Sequence, residues 1–237
     1  MNNAFPYTIY ACGDHAVTVD FGKNITGDIN THVLQLFNVL EQKNIPGIKD
    51  VIPAYSSLTL VYDVVAVRAN NSSAFQWASQ QLEDALNQKT GGLTGTGRLI
   101  KIPACYETQY APDLAQMALQ KNISPAAIIQ QHCYKTYRVY MLGFLPGFAY
   151  MGTVDESISM RRRATPRTSI AAGSIGIAGS QTGIYPMESP GGWNIIARTP
   201  IKLFDAQRDE PALLQPGDEV QFYPITAEEF DKIKSAI

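Results

Sequence analysis

The chain has 237 residues, 45% of them hydrophobic and 17% charged, and a formal net charge of −2. That length holds one large domain or two small ones with a core each, and the balance excludes a disordered chain. Near-neutral charge argues against nucleic acid as a partner, and no run reaches the roughly 20 apolar residues of a membrane helix.

The N-terminus has no basic region followed by an apolar core, so no signal peptide is read. Cys12, Cys105 and Cys133 are widely spaced and odd in number, which favours reduced thiols over disulfides or a structural zinc site. These features together predict a soluble, cytoplasmic protein.

In chain order, YTIYACGDHAVTVDFG alternates apolar and polar residues around a Gly-Asp break, as two short strands or one bent strand would. DINTHVLQLFNVLEQKN places Ile29, Val33, Leu36, Phe37 and Leu40 at helical spacing, with Asp28 as the expected cap. IKDVIPAYSSLTLVYD predicts two strands broken at Pro53–Ser57. SSAFQWASQQLEDALNQ predicts a helix with Phe75, Ala78, Leu82 and Leu86 on one side and Ser72 or Ser73 as its cap. The order strand, helix, strand, strand, helix is most of a ferredoxin-like split βαβ unit, which one more strand would complete.

KTGGLTGTGR (Lys89–Arg98) carries four glycines without apolar periodicity and marks the domain boundary. The domains are therefore 1–90 and 91–237. Gly92 and Gly97 have phosphate-loop spacing, but Arg98-Leu99 stands where Lys and Ser/Thr are needed, so a linker is the better reading.

LIKIPACY predicts a strand. Two helices follow, starting at Asp113 and at Ser124 as caps, with Pro125 at a first helical position. From Tyr137 to Pro224 short apolar runs separated by Gly and Pro predict a closed or nearly closed β-barrel, so the fold class is α+β.

Several residues carry potential chemistry. Ala172–Gly176 is an imperfect nucleophile elbow among strand-like runs, a poor setting for a catalytic Ser174. His15, His32 and His132 are isolated, without metal-ligand spacing. His132, at the end of a helix, suits an imidazolium beside exposed carbonyls or a role in a site. RRRATPR gathers Arg161, Arg162, Arg163 and Arg167, which form either a solvated face or an anion site. Arg167, placed by Pro166 before a strand, is the most constrained and could clamp a carboxylate or phosphate.

GFLPGFAYMG and SPGGWN each predict a type II turn, at Pro146-Gly147 and Pro190-Gly191. Both are either barrel corners with inward aromatics or the walls of a ligand site.

Four stretches carry a family resemblance: GDHAVTVDFG, HCYKTYRVYMLGFLPGFAYMG, ATPRTSIAAGSIGIAGSQTGIYPMESPGGWNIIARTP and LLQPGDEVQFYPI. Together they resemble the 5-oxoprolinase B-subunit family, also called KipI-like or allophanate hydrolase subunit 1, from about Tyr7 to Ile225.

The resemblance implies an N-terminal α+β domain and a C-terminal cyclophilin-like β-barrel. It implies one component of a hydrolase, inactive alone, working in a cytoplasmic complex with the A and C subunits that opens the lactam of 5-oxoproline to glutamate with ATP. Mg-ATP would occupy a site shared with partner subunits, with no metal held by this chain alone.

Matched to the family blocks, Arg167, Gln181, Tyr185, Pro190, Gly191, Gly192, Trp193 and Arg198 would line the cleft. His132, Phe144 and Phe148 would form a second wall. Arg167 and Arg198 would bind the substrate carboxylate or a phosphate, and Gln181 and the amides near Gly191 and Gly192 the lactam or an oxyanion. The chain departs from the family at Arg161-Arg162-Arg163, where Pro is expected before the paired arginines, and at Ala197, where Gly is usual and an added methyl would narrow the site.

No residue stands out as nucleophile or base, which suggests a shared active site. Two other functions fit such a chain: an inhibitor docking on a sensor histidine kinase, and a component of a biotin-dependent urea or amide carboxylase.

Overall fold

Alternating strands and amphipathic helices bury their apolar sides in two separate cores. The structure, a computed structural model, describes residues 5–88 and 97–236. It divides into two compact units, Met1–Gly95 and Thr96–Ile237. The stretch read as a linker lies outside the described residues, except for Gly97 and Arg98.

In the first unit, β1 (Thr8–Ala11) and β2 (Ala16–Asp20) form an antiparallel hairpin, with Gly13 at φ +70 in the break between them. The helix α1 (Gly27–Lys43) is capped by Thr26, whose hydroxyl accepts the Ile29 N–H, rather than by Asp28. Asp28 lies in the first turn, where a carboxylate still favours the positive end of the helix.

Strands β3 (Ile48–Pro53) and β4 (Ser57–Tyr62) follow, then α2 (Val64–Arg68), too short to leave a periodic signal in the sequence, and α3 (Ala74–Leu86). The oxygen of Ser73 caps α3, but its buried stripe is Ala74, Ala78, Leu82 and Ala85, so Phe75 faces outward at 39% exposure. The strands run β1-β2-β4-β3, antiparallel throughout, and α1 and α3 bury Val33, Leu36 and Leu82 with Val17, Val19, Leu58 and Leu60 of the sheet.

The second unit begins with β5 (Leu99–Cys105), held at its start by the Arg98 guanidinium on the buried Asp218 carboxylate at 2.7 and 3.1 Å. Next come α4 (Leu114–Lys121), α5 (Pro125–Tyr134), β6 (Thr136–Leu142) and β7 (Ala149–Gly152). A short 3₁₀ turn at Glu156–Ile158 leads into β8 (Arg167–Ile170), β9 (Ser174–Ala178) and β10 (Gln181–Ile184). The chain ends in β11 (Ser189–Gly191), β12 (Asn194–Arg198), β13 (Glu219–Ile225) and α6 (Ala227–Ser235).

Seven strands close a barrel in the order β10-β7-β6-β13-β5-β12-β9, with β9 pairing back onto β10. Closure removes the exposed strand edges that an open sheet of this size would carry. Only β13 and β5 among these pairs run parallel, in register from Glu219↔Leu99 to Ile225↔Cys105. Strands β8 and β11 form a separate two-stranded sheet.

The barrel interior is filled by residues such as Ile102, Val139, Met151, Ile177, Ile196 and Phe222. A smaller cluster gathers Phe148, Ile170, Tyr185, Trp193 and Ile195. Helix α4 packs beside β12, and α5 beside β13.

Candidate functional site

The two Pro-Gly segments differ in structure. Phe148 N–H reaches Leu145 O at 2.9 Å and Gly147 has φ +79, the geometry of the turn expected at Pro146-Gly147. Pro190-Gly191 is not such a turn. It belongs to β11, where Ser189 faces Ile170 and Gly191 faces Arg167 across a register shift, and Gly191 is not among the glycines of positive φ. Glycine is required there for space: a Cβ would strike the Tyr185 hydroxyl and come within 2.7 Å of the Ile170 side chain.

The aromatics expected to wall a cleft pack mostly against one another. Phe148 meets Tyr185 and Trp193 edge-on at 5.3 and 5.5 Å, and all three are at most 4% exposed. Burial raises the Tyr185 hydroxyl pKa, against the lowering effect of the bond it accepts from the Trp193 backbone N–H. Phe144 alone of this group is open to solvent, at 60% exposure and φ +70, with its ring on Phe148.

His132 is fully buried in the second unit. Its ring stacks on Phe222 at 4.5 Å, with Nδ1 2.6 Å from the Tyr106 hydroxyl and Nε2 3.1 Å from the Thr182 hydroxyl. Thr182 donates to Gly176 O at 3.1 Å, so it accepts from Nε2–H, which leaves Nδ1 to accept from Tyr106. This network holds a neutral imidazole, and desolvation lowers its pKa to about 3. The imidazolium expected from its place at the helix end is therefore not its state: burial outweighs the attraction of the terminal carbonyls.

Arg167 is committed to Asp113. Its two terminal nitrogens grip the two carboxylate oxygens at 2.7 and 2.8 Å, Arg163 adds a third contact at 2.8 Å, and the Ile195 N–H a fourth at 2.7 Å. Asp113, expected to cap α4, makes no side-chain cap bond. Its carboxylate, 4% exposed, instead ties α4 to the arginine segment and to β12. Those bonds to the charged form repay its desolvation.

Arg198 donates through Nε to Ala172 O at 2.8 Å and lies 5.9 Å from the Phe230 ring. Gln181 sits at the start of β10, opposite Gly152. Ala197 is fully buried with the barrel core, so its methyl group packs inside and does not narrow a cleft.

A cavity of about 880 Å³ opens between α4 and the segment 156–165. Its polar lining includes Gln116, Gln120 and Lys121 on α4, Arg161, Arg162 and Arg163 opposite, and the carboxylates Asp113 and Glu156. None of the cleft residues expected from the family blocks lines it, but two of them support it from behind. Gly192 O accepts the Arg163 N–H at 2.8 Å, and the Trp193 ring lies under the Arg162 guanidinium at 5.9 Å. Asn194 Nδ2 reaches Arg161 O at 2.9 Å, and Met160 bridges to Gly179. The arginine run is thus pinned along its backbone beside the cavity that it lines.

Among the described residues neither Arg161 nor Arg162 has a carboxylate partner. No three His, Cys, Asp or Glu side chains among these residues converge as metal ligands, and no helix is long and apolar enough to cross a membrane. Sequence reading missed Gln116, Gln120 and Lys121, whose only signal was a polar stripe on an ordinary amphipathic helix. It read Asp113 as a cap because Asp before a helix is usually one.

Residues 7–214 match the family model described as carboxyltransferase domain, subdomain C and D. The 5-oxoprolinase B subunit of Bacillus subtilis (strain 168) is 38% identical over 232 residues, which are 96% of this chain and 97% of the relative. The 5-oxoprolinase B subunit of Escherichia coli O157:H7 is 36% identical over 215 residues, 91% of this chain and 94% of the relative. The chain belongs to the 5-oxoprolinase B-subunit family. Among solved structures, TTHA0988 superposes with a TM-score of 0.77 at 31% identity, covering 90% of this chain but 40% of the other. In that protein the fold of the 5-oxoprolinase B-subunit family thus forms one part of a longer chain.

Proposed function

We propose that this chain is the B subunit of an ATP-dependent 5-oxoprolinase, which opens 5-oxo-L-proline to L-glutamate together with the A and C subunits. The observation that carries the reading is the match to two 5-oxoprolinase B subunits over more than nine-tenths of this chain and of each relative. The finer fold names, ferredoxin-like for the first unit and cyclophilin-like for the barrel, belong to the same reading, as does a cytoplasmic setting.

The chemistry accounts for the ATP. An unactivated lactam is a poor electrophile, since its nitrogen delocalises into the carbonyl. Transfer of the γ-phosphoryl group to the lactam oxygen makes an electrophilic carbon. Water adds there, and the C–N bond breaks with its electron pair and a proton going to nitrogen, which leaves an acyl phosphate. A second water displaces phosphate from that carbon to form the carboxylate, and the products are glutamate, ADP and phosphate.

This chain contributes anion recognition, with guanidinium and ammonium groups around the cleft. The two carboxylates there are Glu156 and Asp113, and Asp113 is committed to two arginines. The cleft therefore suits phosphate or carboxylate oxygens better than it suits Mg²⁺, and the acid–base groups are assigned to the A and C subunits.

The test is purification of the three subunits together and measurement of ATP-dependent glutamate release from 5-oxoproline. The reading expects release by the complex and none by this chain alone. A second reading, a component of a biotin-dependent amide carboxylase, draws on the carboxyltransferase family model. It expects carboxylation of urea or an amide in the presence of a biotin carrier and no glutamate release.

A further inference from the structure

We propose that the cleft between α4 and segment 156–165 binds a phosphoryl-bearing small molecule of two or more negative charges, held by Arg161, Arg162 and Lys121. The proposal rests on the reading of the cleft as the anion-recognising part of the protein, and it can be tested without partners or turnover.

Charge points to the class of ligand. Four cations and two carboxylates line the cavity, in a chain whose overall charge is −2. Asp113 is already shared between Arg163 and Arg167, and the latter lies outside the lining. The Lys121 ammonium is placed by a backbone carbonyl, Glu156 O at 3.2 Å. A single carboxylate would leave part of this positive charge uncompensated, whereas a phosphate ester or phosphate chain matches it. Guanidinium forks and an ammonium are the groups that recognise phosphate oxygens.

Construction of the site is the second strand. An ordinary basic run on a surface is solvated and loosely held. Here Arg161 O, Arg163 N and Met160 are each hydrogen-bonded to fixed backbone or to Asn194, and the Arg162 head rests on a buried Trp193. Arg163, which lines the cavity, has its Nε–H buried without a hydrogen-bond partner. Arg161 and Arg162, adjacent and without a carboxylate partner among the described residues, repel one another, and a bound anion relieves that repulsion. The volume of about 880 Å³ is that of a ligand site rather than of an ion alone.

Calorimetric titration of the purified chain with inorganic tripolyphosphate at low ionic strength tests the proposal. One saturable site is expected, weakening as salt rises. The double variant Arg161→Ala/Arg162→Ala should lose at least tenfold in affinity and Lys121→Met several-fold, while Lys202→Ala, outside the cavity, should bind like the parent. Circular dichroism melts of the same samples verify folding. The absence of saturable binding, or undiminished binding by the folded double variant, overturns the proposal. Competition by ATP at equal or greater affinity supports it, the latter adding a nucleoside to the ligand. Tighter competition by an acidic peptide overturns the small-molecule assignment. Tripolyphosphate binding with an inactive three-subunit complex would leave this site standing and remove the lactam reading; turnover without binding would do the reverse.

Discussion

At the scale of residues, Asp113 changes what the arginines are for. Arg167 has the rigid placement expected of an anion clamp, and the anion it clamps is internal. Asp113→Asn takes the carboxylate from both arginines, a loss of about 3 kcal/mol, whereas Arg167→Ala leaves Asp113 its Arg163 and Ile195 contacts and costs less. Asp113→Asn should lower the free energy of unfolding, measured by urea titration, by that order, and Arg167→Ala by a smaller amount. The sequence alone reads Arg167 as a clamp for an external carboxylate or phosphate, and an Arg167→Ala variant of unchanged stability would restore that reading.

His132 gives a second test at the same scale. Its pKa falls from 6.5 in the unfolded chain to about 3 in the fold, because burial disfavours the charged ring. Between those values the unfolded chain binds the extra proton, so the contribution of His132 to stability is complete above pH 6.5 and is lost as pH falls toward 3. The loss is about 1.4 kcal/mol per pH unit inside that window. Unfolding free energies measured at pH 7 and pH 5 should fall more steeply for the parent than for His132→Gln. Equal slopes would mean that the ring is not buried neutral.

At the scale of elements, β11 and the residues after it form the scaffold of the cleft. Gly191 fits against the ring and hydroxyl of Tyr185, Gly192 holds the Arg163 amide, and Trp193 supports Arg162. Gly191→Ala should force this segment off the Tyr185 ring, with a melting temperature several degrees lower, as overpacking by one methyl group costs about 1–3 kcal/mol. The variant should also weaken tripolyphosphate binding, although residue 191 does not line the cavity. Parent-like stability would show that the segment yields freely.

Much of this architecture was legible in the sequence: the helices α1, α3, α4 and α5, the caps Ser73 and Ser124, the Pro146-Gly147 turn and a β-rich second half closing into a barrel. Helical and strand periods are local, and local signals survive in one dimension. The cleft was only half legible. Its arginines were visible as a cluster, but the opposing wall comes from α4, some forty residues earlier in the chain, and no local pattern states that pairing. Asp113 was misread for the same reason: its partners Arg163 and Arg167 are brought to it by the barrel.

At the scale of the whole molecule, the chain offers a closed barrel whose interior is filled by side chains and a cationic cleft, where the carboxylates among the described residues are Glu156 and Asp113, the latter held by arginines. In the assembled enzyme Arg161→Ala/Arg162→Ala should therefore lower turnover by tenfold or more without dissociating the complex, as judged by gel filtration. Unchanged turnover would take the cleft out of the reaction. The most direct measurement of the central claim is the stoichiometry of glutamate and ADP released from 5-oxoproline by the co-purified three-subunit complex. One glutamate per ADP, with neither formed when this chain is omitted, is the result expected; a complex that forms but releases no glutamate would contradict it.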